Sequence, residues 1–571
     1  MLGSALRLAG RLLRDLFAGR RSAADVATKL RAVAPLFTPA PSPAEHMADV
    51  MSRTHAVAAG HGGGSGFKRA AAADLLWLLE EAQRLFHRLF EKSLDDPHGA
   101  LVWRALDMAL ATLRGLLNPI YGLEEDLDLD RLDEFEFLDW LVANGADPNI
   151  RDLTNAPELR ALYDLAFSYR PTPAGLVPDF AAGAAVRCLI RILATYKGAP
   201  LFEMQAGMGE AVIAPLYEVL KARGVRFEFF HKVRKLELSE NGNWLRRIHI
   251  GVQARPRGAA EYDPVFSVDG VRCWPSHPDW AQLEDGDAMR DAKVDFESHW
   301  CARPDAATEI LTMGTDFDMA VLAINIGAFQ RLNGQDGSLA DALIDASPAF
   351  RATTEHIGLI PTFGLQLWLT KSLRELGWRF PKPALVGSVE PLDVWADSSQ
   401  LLMRERWPLD GPRSSHMLCG PWCTDLFRKP AADRTVPDQA DQAITDIVTD
   451  WLNNDSSAIW PATAALDGTG FDWNVLYDRS GADGPARLRS QWIRPNVEPS
   501  ECCAATWAGT TKYRLRTDQS GIRNLFLAGT WTRTGTNTTC LEAAVMSGMA
   551  AARALSGEPL VIVGEHFLQA P

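Results

Sequence analysis

The sequence predicts an α/β chain, with α+β segregation in places, on three observations. A short unbroken apolar run, 525–528, passes through a Gly- and Thr-rich turn into a helix faced with small residues, 541–555. Segments such as 72–92 and 99–117 repeat apolar residues at helical spacing. Others, 224–230, 233–238 and 363–369, alternate as strands do.

Composition narrows the function classes before any motif is considered. At 571 residues and 47% hydrophobic content, the chain has material for large cores and more than one domain. A net charge of -14, with no extended basic patch, argues against nucleic-acid binding. The eight cysteines lack paired C-x-x-C spacing, which suits reduced thiols in a cytoplasmic protein. Cys419, Cys423 and the adjacent pair Cys502–Cys503 could be redox-active, although plain burial also accounts for them. No apolar stretch reaches the roughly 20 residues that a membrane-spanning helix needs.

The N-terminal part, 1–170, reads as mainly helical, a substrate-side or partner-binding region. Residues 1–17 form a basic amphipathic helix, with Arg7, Arg11 and Arg14 interrupting the apolar positions too often for a signal peptide. It could lie on a membrane surface as a peripheral contact, or pack on protein. Gly60-His-Gly-Gly-Gly-Ser-Gly66 reads as a loop. In 72–92 the residues Leu75, Leu79, Ala82, Leu85, Phe86 and Leu89 share a helical face. The acidic run 124–131 suits a solvated helix start rather than a metal loop, and 135–143 is an apolar helix closed by the turn residues Asn144-Gly-Ala-Asp-Pro148.

The most informative stretch lies near the end. Leu525 to Ala528 suit a parallel strand covered on both faces, Gly529 permits a turn, and 530–539 are Gly, Thr or Asn except for Trp531 and Arg533. Such a loop can approach a ligand closely and offer hydroxyl and amide donors. The following helix begins at Leu541 and places Ala544, Ser547, Gly548, Ala551 and Ala552 along it. Its free N–H groups and dipole would stabilise an electron-rich carbonyl at its start. Strand, turn and helix in this order are how an α/β fold sets backbone donors against a dinucleotide cofactor.

On these residues the chain resembles the FAD-dependent amine oxidase and phytoene desaturase superfamily, in particular a long bacterial subgroup of FAD/NAD(P)-binding oxidoreductases. The resemblance covers 200–240 and 315–555 best. It implies FAD as cofactor and a flavin contact made by Gly529, Thr530, Trp531, Gly535, Asn537, Cys540 and Leu541. Many relatives carry an acidic residue after the first Gly, where this chain has Thr530, a weaker partner for the ribityl chain. Phe202-Glu-Met-Gln-Ala-Gly-Met-Gly-Glu210 and the helix 211–223 resemble the family's return from the substrate region to the cofactor domain. There Gly207 and Gly209 are either flavin neighbours or a helix-entry turn, and the position of Val233 presents backbone to the adenine. The apolar run 318–324 resembles the next strand of that domain.

The family normally opens with a strand and G-x-G-x-x-G that grips the FAD pyrophosphate, and this sequence shows no such unit. The expectation is therefore an incomplete FAD-binding Rossmann-like domain, a mixed-sheet substrate domain and an N-terminal helical region, completed by a small Rossmann-type partner subunit or an upstream segment. The boundaries are 1–170 helical region, 171–240 return segment, 241–312 insertion and connecting strands, 313–330 cofactor-domain strand, 331–505 substrate domain and 506–571 C-terminal cofactor segment. A hydrophobic small-molecule substrate is expected over an aromatic pocket, with Gln366, Trp368, Asp393 and Trp395 as candidates and Glu390, Asp397, Trp407, His416, Trp422 and Trp492 nearby in the resemblance. Trp395 and Trp492 suit core as well as pocket; Asp393 and His416 suit proton transfer or plain solvent exposure. No catalytic residue and no metal ligand is assigned. The expected activity is hydride removal by a FAD-dependent oxidoreductase; a cofactor-free scaffold and a FAD-dependent hydratase or isomerase are the alternatives.

Overall fold

The computed structural model describes residues 97–566 apart from 119–127, 196, 200, 259–260, 333–337, 384–385, 388, 393, 466–467 and 469. The amphipathic helices expected over 1–17 and 72–92, the Gly-rich loop 60–66 and Asp393 lie outside the described residues. The chain divides into two compact units, one of Met1–Arg160, Phe180–Pro200 and His566–Pro571 and one of Ala161–Asp179 and Leu201–Glu565.

The described part of the first unit is helical, as the apolar spacing of its sequence requires. Helix α1 (Pro97–Leu117) packs Leu110 with Leu106, Leu113 and Leu117. The described end of the acidic run forms a 3-10 turn, Leu129–Glu134, whose start is capped by the Asp128 carboxylate; 124–127 lie outside the described residues. Helix α2 (Phe137–Ala143) begins with the Glu136 carboxylate accepting the Asp139 N–H at 3.0 Å. Helix α3 (Ala182–Ile190) buries the Arg187 guanidinium completely and pairs it with Asp130 at 2.5 Å. Asp133 accepts the Ala184 N–H at 2.8 Å and so covers one open donor of that helix start.

The second unit is built on sheets. Helix α4 (Ala214–Ala222) follows a π-helical turn, Gly209–Ile213, so the expected helix over 211–223 forms. The strand expected over 224–230 does not form. Its Phe227, Phe229 and Phe230 instead pack edge-on with Tyr217 and Tyr262, and an aromatic cluster satisfies these side chains without a strand partner. Strands β1 (His231–Leu238), β2 (Leu245–Val252) and β3 (Ala307–Thr312) then form an antiparallel meander. Strand β4 (Ala320–Leu322) falls within the apolar run expected to be a strand.

The larger sheet comes from the middle of the chain. Strands β5 (Thr362–Leu369), β6 (Val386–Gly387), β7 (Val394–Asp397), β8 (Ser414–Pro421) and β9 (Trp492–Asn496) lie in the order β6-β7-β8-β5-β9, antiparallel throughout. Helix α5 (Val436–Asn454) presents Ala440, Ile444, Val448 and Trp451 at helical spacing, within one core with Leu365, Leu367, Trp395 and Leu418. Near the C-terminus, β10 (Leu525–Leu527) pairs with β4 in parallel and leads to helix α6 (Leu541–Ser556). The fold is thus α/β, with antiparallel sheets beside a parallel pair.

Among the described residues no helix is long and apolar enough to cross a membrane. Truncating a fully buried ring of the large sheet should be costly. Trp395→Ala is expected to destabilise the second unit by about 3–5 kcal/mol, read as a lowered midpoint in urea unfolding followed by tryptophan fluorescence.

Candidate functional site

The segment from Gly529 to Leu541 is held from several directions. Gly529 sits at φ 134°, a backbone conformation open to glycine alone in practice, and its N–H donates to Ser547 Oγ of α6 at 2.6 Å. This bond closes the turn from β10 onto the helix. Trp531 is buried: its Nε1 donates to Ile324 O at 3.0 Å, and its ring stands edge-on to Phe329 and Phe350. Thr534 N–H donates to Asn537 Oδ1 at 3.0 Å, and Thr506 Oγ donates to Asn537 O at 2.9 Å. Thr539 donates to Ala504 O at 2.9 Å and lies 3.5 Å from the Thr530 hydroxyl.

Sequence reasoning missed the residue that pins this loop. Arg514 is buried and donates to Thr530 O at 2.6 Å, Ala505 O at 2.9 Å and Thr506 Oγ at 3.2 Å. An Arg in Tyr-Arg-Leu-Arg carries no local signal that one guanidinium is inside and the other outside. Gly535 shows another constraint, since a Cβ there would stand 1.9 Å from Gly564 O: the chain's own C-terminal segment covers that part of the loop.

The start of α6 remains chemically open. Cys540 is its N-cap but makes no capping hydrogen bond from its side chain, and Leu541 is half exposed. No side-chain cap therefore occupies the first-turn N–H groups at the positive end of the helix dipole, a setting that suits an electron-rich oxygen. The face expected to carry small residues divides: Ser547 and Ala551 are buried, whereas Ala544, Gly548 and Ala552 are exposed.

The remaining candidates separate by sheet register. Leu365, Leu367, Trp395, Asp397, His416 and Leu418 share one face of the large sheet, because Leu367 pairs with His416 and Trp395 with Leu418. That is the core face, and all six are buried. Solvent exposure, one role considered for His416, is therefore excluded by its position. Trp395 Nε1 donates to its Nδ1 at 3.3 Å, which leaves Nε2 to donate to Ser414 Oγ at 3.0 Å, and burial pushes its pKa down to about 4. Gln366, Trp368 and Trp492 occupy the opposite face together with Met417, half-buried to exposed. Gln366 is fixed there by donating to Ser415 Oγ at 2.9 Å, and the Trp368 ring leans on Trp407.

Trp422 is buried in the core, and Glu390 is exposed. Gly207 and Gly209 lie at the entry to the turn before α4, and the Val233 side chain packs at the edge of the core that holds Trp531. All eight cysteines are free thiols. Burial pushes Cys502 well up and Cys503 to about 12, which removes thiolate reactivity from the adjacent pair.

A second group was not anticipated. The Glu498 carboxyl is buried and accepts the His299 N–H at 2.6 Å; burial pushes its pKa up to about 7 against that bond, with Glu501 and Asp295 adding repulsion. His299 and Lys232 beside it are both lowered, chiefly by burial.

Residues 306–556 match the family model of the flavin containing amine oxidoreductases. This segment therefore resembles the amine oxidase and desaturase-like superfamily, as its motifs imply. Among the solved structures that match is an oxidoreductase from Methanosarcina mazei, 8% identical, with 73% of this chain and 68% of that one covered and a TM-score of 0.37, a likeness too distant to transfer function. No curated protein matches the chain.

Two outcomes follow. Ser547→Ala removes the acceptor of the Gly529 N–H and should cost about 1–2 kcal/mol in denaturant unfolding, with Ser547→Thr closer to the parent. Glu498 binds its proton more tightly when folded, so its contribution to stability is complete below pH 4.5 and lost as pH rises through about 7. Glu498→Gln should accordingly raise the Tm by about 2 °C or more at pH 8 and change it little at pH 4.5; an equal effect at both values would place the cause elsewhere.

Proposed function

We propose that this chain is a FAD-dependent oxidoreductase that removes hydride from a hydrophobic small molecule, of desaturase or amine-oxidase type, with the dinucleotide end of the cofactor gripped by a unit outside the described residues. The observation that carries the reading is the uncapped start of α6 beside the Gly529 turn, inside the segment that matches flavin containing amine oxidoreductases.

The residues present fit one end of a flavin. The turn at Gly529 brings backbone close, the open donors at Cys540 to Ala543 favour an electron-rich carbonyl, and Thr530 offers a hydroxyl in place of the usual carboxylate. When bound, the flavin would supply hydride acceptance. The protein's part is positioning and exclusion of water. Arg514 holds the Thr530 and Ala505 carbonyls in place. Gln366, Trp368, Met417 and Trp492 form an apolar sheet face with one amide, a surface that suits a lipid-like or aromatic substrate. His416, neutral and enclosed beside Trp395, stays outside proton transfer in this reading.

A cofactor-free binding protein is the second reading, favoured by the contact of Gly535 with the C-terminal segment, which fills part of the loop with protein. Purification decides between them. The full chain, produced together with the polypeptide that supplies a G-x-G-x-x-G unit and offered FAD, should give a yellow complex with about one flavin per chain. A colourless pair under saturating FAD overturns the flavin reading. In the yellow complex, Gly529→Val should abolish flavin retention, because a branched side chain cannot adopt that backbone conformation without strain.

A further inference from the structure

One surface loop of the second unit turns an indole inward. In Glu405-Arg406-Trp407-Pro408-Leu409-Asp410, which follows the 3-10 turn Ser399–Arg404, the residues Glu405, Arg406, Leu409 and Asp410 are exposed while Trp407 is half-buried. The Trp407 ring meets two others. Its centroid lies 5.7 Å from that of Trp368 on the outer face of the large sheet and 5.4 Å from that of Tyr477, to which it stands edge-on.

Trp368 and Tyr477 are tied to each other through their backbones. The Tyr477 N–H donates to Trp368 O at 2.8 Å, and Gln491 accepts the Trp368 N–H at 2.7 Å while donating to Tyr477 O at 2.8 Å. Their side-chain donors have no such use. Trp368 Nε1 and the Tyr477 hydroxyl are both shut off from solvent, and neither has a hydrogen-bond partner among the described residues. Each such orphan opposes the arrangement that buries it.

The loop itself is made to move without breaking its own bonds. Trp407 Nε1 donates to Glu405 Oε2 at 2.6 Å, the Trp407 N–H to Glu405 O at 3.0 Å and the Gly411 N–H to Pro408 O at 2.8 Å, all inside the loop. Its tie to another element is the fork of Arg406 on Asp269, at the tip of the hairpin Phe266–Val268 and Val271–Cys273, with Arg406 Nε 3.0 Å from Asp269 Oδ2. Both side chains are largely in solvent, where an ion pair contributes little. Beside the covered ring the sheet face is open: Gln366 is the next outward residue of β5, and its cross-strand partners Trp492 and Met417 are 42% and 48% exposed.

We infer that Trp407 is a plug over a ligand site, and that a flat apolar ligand carrying a carbonyl oxygen displaces it, spreading over Trp368 and accepting hydrogen bonds from Trp368 Nε1 and the Tyr477 hydroxyl. A group in the place of the Trp407 ring neighbours both side chains. A carbonyl suits them because it accepts twice and donates nothing, while an indole can only donate. The inference rests on the proposed function for one point, that this ligand is the substrate. While the plug is in, apparent affinity is lowered by the share of molecules with it out.

The test measures binding of 2-acetylnaphthalene and 2-ethylnaphthalene, which differ by the carbonyl, to the full chain by equilibrium dialysis. The parent should hold the ketone about tenfold tighter or more. Trp407→Ala should tighten both probes about tenfold with the preference kept. Trp368→Phe and Tyr477→Phe should each cut the preference to about threefold or less and leave the hydrocarbon affinity within about twofold. Asp269→Asn, which keeps the plug, should speed ketone association about twofold or more. A preference untouched by both Phe variants overturns the proposal, as does a Trp407→Ala chain that binds neither probe more tightly than the parent. The expected pattern in a chain that never holds flavin supports the site and removes the substrate role from its ligand. A yellow complex without carbonyl preference keeps the flavin reading and overturns the plug.

Discussion

Asn524 is the point on which the candidate site depends. Its Oδ1 accepts the Leu245 N–H at 2.8 Å, its Nδ2 donates to Leu245 O at 3.0 Å, and its backbone carbonyl accepts the Ala320 N–H. One fully buried amide thereby joins the start of β10 to the meander and to β4. Asn524 and Leu245 are fully buried, where a lost partner leaves an unsatisfied polar atom and costs more than the bond itself gains. The direction in which β10 leaves this point determines where Gly529 turns and where α6 begins. The loop's internal hydroxyl and amide bonds then refine a position already set by the junction.

The large sheet imposes a second constraint by simple alternation. Because successive side chains point to opposite faces, register alone decides that Leu367, Trp395 and His416 face α5, while Gln366, Trp368 and Trp492 face away. The core face is closed by rings packed edge-on, with Trp395 meeting Trp378 at 4.9 Å and Trp460 at 5.8 Å. Such packing makes this face the rigid backing of the sheet. The other face, with Gln366, Trp368, Met417 and Trp492, is left half-buried to exposed.

Much of this was legible in the sequence where periodicity and chain direction agree. The alternation of 363–369 foretold which residues of β5 would be buried, and the apolar runs 318–324 and 525–528 foretold β4 and β10. What could not be read was long-range partnership. The alternating residues of 224–230 form no strand, because an aromatic cluster offers Phe227, Phe229 and Phe230 a better burial than a ladder does. Trp395 suited core as well as pocket, and His416 proton transfer or solvent exposure, until the pairing of β7 with β8 put both on the core face. Arg514 and Glu498 carry no local pattern at all: an ionisable side chain is identified as buried only once the elements that enclose it are in place.

Among the described residues the outer edge of β4 carries no ladder, which has a consequence for how the chain is made. A strand edge without a ladder is a template for any other, and newly synthesised copies of the chain are the first to meet it. Slow production, or a charge introduced at Val321, would keep self-association from winning, so the short strand sets how concentrated this chain can be made.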